Sequence, residues 1–357
     1  MKIGLIGDVH WCQYSSIIRK RGSKYSLRLE NCIQSVNWAE ELTKNLGCEF
    51  NVYLGDFFDK PDLNSEEISA LKEIKWNDSD KYFLVGNHEM GSGNLEMNSS
   101  NIFELLDNYL HATETRKPLH VIDRPFTLGD LHTRILLLPY ILENKKQEAL
   151  DLFKKYQLPY NTINIDRTII LTHNDIAGIQ LGNFESKQGF SVEEIENNFD
   201  LCINGHIHNG GKVSDKIINI GNLTGQNFSE NARRYDHVIF ILDTDTLKID
   251  VYENPYAFNF YKEDWTEGIP FDNDFKNNSV LTVQTSEDTC EEAKKFLEHT
   301  DNIVESRILL KPSLKQNDEV DYTDLSIDHY KAFKEYVMNN ISADDIAISE
   351  LDMVLEG

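Results

Sequence analysis

The chain is short of positive charge. Its 357 residues carry 35 Lys and Arg against 60 Asp and Glu, a formal net charge of −25. Binding nucleic-acid phosphates needs clustered cations, so this balance argues against a protein that coats DNA along its length. Cysteine is sparse: Cys12, Cys32, Cys48, Cys202 and Cys290 are scattered and odd in number. Such spacing speaks against a disulfide framework and a thiolate zinc site, and fits free or buried thiols in a reducing cytosol. No apolar run approaches the roughly 18–20 residues of a membrane span. The opening MKIGLIGDVH reads as a strand entering a polar motif, not as a signal peptide. There is no internal repeat and no low-complexity tract. Against these absences, 40% hydrophobic residues over this length are enough for a large core and about two domains.

Short apolar runs alternate with helical periodicity through residues 1–262. Strands are expected at Lys2–Ile6, Asn51–Leu54, Tyr82–Val85, His120–Ile122, Arg134–Leu138, Thr168–Thr172, Asp200–Ile203, Lys216–Ile220, His237–Leu242 and Leu247–Tyr252. Helices are expected at Glu30–Asn45, Ser65–Lys75, Asn101–Tyr109, Asn144–Tyr156 and Ser191–Asn197. This β-α-β order implies a layered α/β fold, with the later strand-rich stretch forming a second sheet. The segment KEDWTEGIPFDNDFKNN is polar and poor in aliphatic residues, so 263–278 reads as a linker. A small α/β domain, 279–357, follows: strand Val280–Gln284, helix Cys290–His299, strand Glu305–Lys311 and helix Ile327–Asn340.

Five fragments carry the chemistry: GDVHW at Gly7, GDFFD at Gly55, GNHE at Gly86, THND at Thr172 and GHIHN at Gly205. They supply Asp8, His10, Asp56, Asn87, His173, His206 and His208, each just after an expected strand. Side chains at the carboxyl ends of neighbouring strands converge on one crevice in open α/β sheets. A lone Asp-x-His or single His is more often structural; five such fragments in order are a site. Seven N and O ligands suit two divalent cations sharing one carboxylate, with Asp56 the best placed to bridge. Mixed His, carboxylate and amide ligands favour Mn, with Mg, Fe or Zn as alternatives. Two cations about 3.5–4 Å apart suit phosphate-ester hydrolysis, since they clamp attacking and leaving oxygens.

These blocks resemble the calcineurin-like metallophosphoesterase superfamily, whose pattern is D-x-H, G-D-x-x-D, G-N-H-D/E, H and G-H-x-H. The resemblance covers about residues 1–260 and implies a four-layer fold, a two-sheet β-sandwich flanked by helices, plus the small capping domain. It places one cation on Asp8, His10, Asp56 and His208, and the other on Asp56, Asn87, His173 and His206. The finer resemblance is to SbcD-type DNA repair nucleases, in the short form encoded by tailed phages. It rests on IINIGNLTGQNFSE after GHIHN, on the paired strands of HVIFILDTDTLKIDVY, and on the position of the small domain. Departures are Glu89 where many relatives have Asp, Asp59 where some have His, and Asn222 where Ser is common.

In the superfamily the ring equivalent to His88 faces the phosphate, which makes it a general acid or phosphate stabiliser. Asp59 is expected to orient and charge His88; alternatively it caps the helix near Ser65 or pairs with Lys60. Residues 15–29 hold five basic residues, Arg19, Lys20, Arg21, Lys24 and Arg28, and no acidic one. They are expected to contact the DNA backbone, with solvated surface as the plainer alternative. The nuclease resemblance implies DNA as substrate and a homodimer assembled with an SbcC-type coiled-coil ATPase into a heterotetramer. It implies the cytoplasm, the host's for a phage-encoded chain. The stripe Ile327, Tyr330, Phe333, Val337 and Ile341 either docks on that ATPase or closes the small domain's core. A phosphoprotein phosphatase or nucleotide phosphodiesterase is the alternative on the same site. The Arg-Gly that phosphoprotein phosphatases carry after G-D-x-x-D is replaced here by Lys60-Pro61.

Overall fold

A computed structural model describes residues 1–15, 18, 20–90, 103, 119–130, 132–156, 165–181, 184–267 and 274–311. Met1–Lys311 forms one compact unit. The expected helix Ile327–Asn340, and all of Asn101–Tyr109 but Phe103, lie outside the described residues.

The elements in chain order are β1 (Lys2–Ile6), α1 (Leu27–Asn45), β2 (Phe50–Tyr53), α2 (Ser65–Leu71), β3 (Asp80–Leu84), β4 (Leu119–Ile122), β5 (Phe126–Gly129) and β6 (Thr133–Leu138). Then come α3 (Lys146–Tyr156), β7 (Arg167–Thr172), β8 (Gln180–Leu181), β9 (Phe184–Glu185), α4 (Val192–Glu196), β10 (Leu201–Asn204), β11 (Gly211–Lys212) and β12 (Ile217–Asn219). The last are β13 (Val238–Asp243), β14 (Lys248–Glu253), β15 (Asn259–Asp264), β16 (Ser279–Thr285), α5 (Cys290–Glu298) and β17 (Ile303–Leu310). The first helix starts three residues before the expected Glu30 because Ser26 caps it, accepting from the Leu29 amide.

Among the described residues, one six-stranded sheet has the order β14-β13-β1-β2-β3-β4 and a second has β11-β12-β10-β7-β6-β5. In the first, β1 to β4 run parallel; in the second, β6, β7, β10 and β12 do. Strand side chains alternate between faces. Val52, Leu54, Ile135, Leu137, Ile169 and Leu171 thus share the core between the sheets. Tyr53 faces α1 with Leu29, Cys32 and Val36. Leu136, Leu138 and Ile170 face α3 and α4 with Phe153 and Ile195. Two sheets between helical layers are the expected α/β sandwich. Burial on both faces explains why these strands read as unbroken apolar runs.

A third sheet, β15-β16-β17, is wholly parallel. Its first strand runs past residue 262 to Asp264, so the expected linker begins as strand. Alpha5 packs on this sheet through Ala293, Phe296 and Leu297, against Leu281 and Trp265.

Candidate metal centre

The parallel strands of both sheets deliver the expected ligands from their carboxyl ends. Asp8 and His10 follow β1, Asp56 follows β2, Asn87 follows β3, His173 follows β7, and His206 and His208 follow β10. The turns there are tight. His10 (φ 49°), Asp56 (φ 45°) and His206 (φ 65°) adopt left-handed backbone, at a cost of about 1–3 kcal/mol each. Main-chain bonds hold them: Val9 and His10 N–H both donate to the Asp56 carbonyl, at 3.1 and 3.0 Å. Two glycines are obligatory for close approach. A Cβ on Gly86 would lie 2.1 Å from Asp56 Oδ1, and one on Gly55 (φ +93°) would lie 2.3 Å from His173 Nδ1.

All seven expected ligands converge. The candidate donor atoms of Asp8, His10 and His208 lie within 4.8 Å of one another, as do those of Asp56, His173 and His206. A third such group, His10, Asp56 and His88, joins the two. His173 Nε2 is 3.1 Å from Asp56 Oδ2 and 3.2 Å from Asn87 Oδ1, and His206 Nδ1 is 3.1 Å from Asn87 Oδ1.

Each ligating ring is held by its outer nitrogen. His10 Nδ1 is 3.1 Å from Asp59 Oδ1, His173 Nδ1 2.6 Å from the Leu54 carbonyl, His206 Nε2 3.2 Å from Asp175 Oδ1, and His208 Nδ1 3.3 Å from Glu230 Oε1. These acceptors place an N–H on the outer side of each ring, which turns the inner nitrogens toward the cluster. His10 Nε2 and His208 Nε2 then face each other at 2.9 Å. Either one ring carries a proton between them or, with both rings neutral, the two lone pairs address one position that a cation fills. Asp8 is fully buried, and its Oδ2 has no hydrogen-bond partner among the described residues. Such an oxygen is costly unless something positive meets it. The donor set therefore fits the two divalent cations that the motif pattern implies.

The electrostatics agree. Burial alone would raise the Asp56 carboxyl, yet His173, His10 and His88 hold it well below the usual range. Burial would lower His173, but Asp56 and Asp8 push it up to about 10. Burial, reinforced by the Asp56 charge, pushes Glu89 up to about 8. Glu89 accepts from Phe58 N–H at 3.0 Å and Gly86 N–H at 2.7 Å, tying the second ligand loop to the third. Glu89→Asp shortens this brace by one methylene, and Glu89→Gln sets an amide donor against an N–H. Either is expected to lower stability by about 1–3 kcal/mol. Urea unfolding of the metal-free protein checks this; an unchanged midpoint would show that the brace is idle.

Two expected roles are corrected. Asp59 meets His88 through its main-chain carbonyl, 2.8 Å from His88 Nδ1, whereas its carboxylate goes to His10 and to Gln226 Nε2 at 2.7 Å. The turn beyond β2 carries the carboxylate toward the first motif, so it orients a ligand rather than His88. Arg28 is fully buried in α1 and donates to the carbonyls of Val9, His10, Thr224 and Gly225. It braces the first ligand loop and does not reach solvent. Arg28→Met strands these carbonyls and is expected to cost about 2–5 kcal/mol, measured by denaturant unfolding. A stable variant with only weakened nucleic-acid binding would restore the surface role.

Of the other basic residues, Arg21 pairs with Glu66 at 2.6 Å, Lys24 with Glu73 at 2.5 Å, and Lys20 donates to the Val304 carbonyl at 2.5 Å. Arg19 lies outside the described residues. Trp11 is fully buried and packs in the core. Asp175, Gln226 and Glu230 were not singled out from sequence. Their signal was position: Asp175 closes THND, and the other two sit in GNLTGQNFSE.

Two sheets delivering a shared Asp, His and Asn cluster define a metal-dependent phosphoesterase. The calcineurin-like phosphoesterase family model matches residues 1–210, and the chain belongs to that family. Among solved structures, it is similar to a Thermus thermophilus protein at 9% identity, covering 71% of this chain and 98% of that one, with a TM-score of 0.40. A dimetal phosphatase from Danio rerio shares 14% identity over 71% of this chain and 99% of that one, TM-score 0.38. The NAD nucleotidase of Haemophilus influenzae shares 14% identity over 71% of this chain and 49% of that one, TM-score 0.32. A search of curated proteins finds no match. No helix among the described residues is long and apolar enough to cross a membrane.

Proposed function

We propose that the chain hydrolyses DNA phosphodiesters as an SbcD-type exo- and endonuclease subunit, working in the cytoplasm with an SbcC-type ATPase. The observation that supports this reading is that the segment after the first ligand motif packs on the third sheet. The loop that leaves His10 is pinned to the third sheet: Ile18 is buried with Phe228, Phe260 and Val280, and Lys20 bonds Val304. A phosphomonoester needs the cluster alone, whereas a polymer needs a flank to lie on.

When bound, divalent cations supply Lewis-acid activation of water and offset phosphate charge; Mn is the ion this donor set favours. The chain's own residues orient the reaction. His88 N–H donates to Asp56 Oδ1 at 3.0 Å, and His88 Nδ1 is held by the Asp59 carbonyl. The Nδ1 proton is thereby committed, so Nε2 is the nitrogen that meets the leaving oxygen. It donates only when the ring is cationic.

One observation favours the second reading, a nucleotide phosphodiesterase or phosphoprotein phosphatase. Arg28 is buried and Arg21 and Lys24 are paired with carboxylates, which leaves few cations for a DNA backbone. The test is cleavage of end-labelled duplex and single-stranded DNA with Mn, Mg or EDTA, beside a small phosphodiester and a phosphoserine peptide. Mn-dependent shortening of DNA supports the nuclease. Turnover of only the small substrates moves the assignment to the second reading.

A further inference from the structure

We infer that the turn Asn222–Glu230 is a positioning belt for one of the two cation positions, acting through Gln226 and Glu230, neither of which the motif pattern makes a ligand. Glu230 is 3% exposed, and every polar group around it belongs to this site or its frame. Its Oε1 lies 3.3 Å from His208 Nδ1 and accepts from Asn222 Nδ2 at 2.8 Å. Its Oε2 accepts from the Gln226 N–H at 2.9 Å and lies 3.8 Å from His237 Nε2. The Gln226 side chain continues the path, donating to the Asp59 oxygen that also holds His10 Nδ1.

One turn thus holds the outer nitrogen of His208 directly and that of His10 through Asp59. Their inner nitrogens face each other at 2.9 Å, beside the unpartnered Asp8 oxygen. The belt is rigid. Leu223 N–H donates to the Asp8 carbonyl at 2.8 Å, and Thr224 Oγ1 to the Val9 carbonyl at 2.9 Å. Gly225 (φ +60°) leaves no room for a Cβ, which would lie 2.0 Å from the Phe258 carbonyl. The other position is wired separately: His173 and His206 are held by the Leu54 carbonyl and Asp175. The physical consequence is selectivity. Losing the belt frees the His208 ring and loosens the Asp59 carboxylate that holds His10, and it touches neither ring of the other position.

The test is Mn titration of the full-length, metal-free protein, followed by calorimetry and by electron paramagnetic resonance of free Mn. The wild type is expected to show two sites. Glu230→Gln, and Gln226→Leu as the milder variant on a partly exposed side chain, are expected to weaken one site about 10–100-fold and spare the other. Asp175→Asn is expected to weaken the other site, so that combining it with Gln226→Leu lowers both. Two unchanged sites in Gln226→Leu, or equal weakening of both with circular dichroism unaltered, would overturn the belt. Should Glu230→Gln fail to fold, the Gln226 variant decides alone. The readout is metal affinity, so failure of DNA cleavage leaves this inference standing, and its own failure leaves the nuclease reading untouched.

Discussion

Asp56→Asn is expected to lower hydrolysis on the order of 1,000-fold or more while the fold survives. The size follows from how many contacts converge on one carboxylate. Oδ2 lies 3.1 Å from His173 Nε2, and Oδ1 accepts from His88 N–H at 3.0 Å. Asp56 also belongs to two of the three donor groups. Replacing it by an amide removes the charge that holds both halves of the site together. It also turns one acceptor into a donor against either His173 or the His88 amide. The measurement is kcat with metal content determined on the same sample. A variant that keeps both activity and two cations would show that Asp56 does not join the two positions.

His88→Asn is expected to behave differently: kcat falls about 100- to 10,000-fold, the range of general acid–base catalysis, while metal content stays at the wild-type level. The contact from residue 88 to Asp56 is made by the main-chain N–H, which any substitution except proline retains. Only the ring is lost, and the ring's own anchor is the Asp59 carbonyl. Loss of a cation in this variant would instead make His88 a ligand. That outcome has a geometric basis, since His88 shares a donor group with His10 and Asp56. Asp59→Asn separates the roles further. It disturbs the His10 contact while leaving the carbonyl that holds His88, so metal affinity should fall before turnover does.

The ligands were legible because each sits directly beyond a strand whose apolar run is plain, as with Ile6 before Asp8 and Thr172 before His173. Parallel strands then bring those ends together whatever the loops do. The outer acceptors were not legible. Asp59 lies three residues past Asp56, and only the turn's path decides whether its carboxylate meets His10 or His88. Glu230 and His208 are 22 positions apart, and nothing local records that they touch. Arg28 is a different case. It shares the buried face of α1 with Cys32, Ser35 and Ala39, so helical spacing already placed it inside. Beta15 does not read as a strand because its second half, Lys262–Asp264, is charged and resembles a linker, while the buried first half holds Phe260 and Tyr261 on opposite faces.

Anomalous scattering from crystals grown with Mn tests the two-cation centre most directly. Two peaks per chain are expected, one among Asp8, His10 and His208 and one among Asn87, His173 and His206, both adjoining Asp56. A single peak, or strong peaks away from these residues, would contradict it.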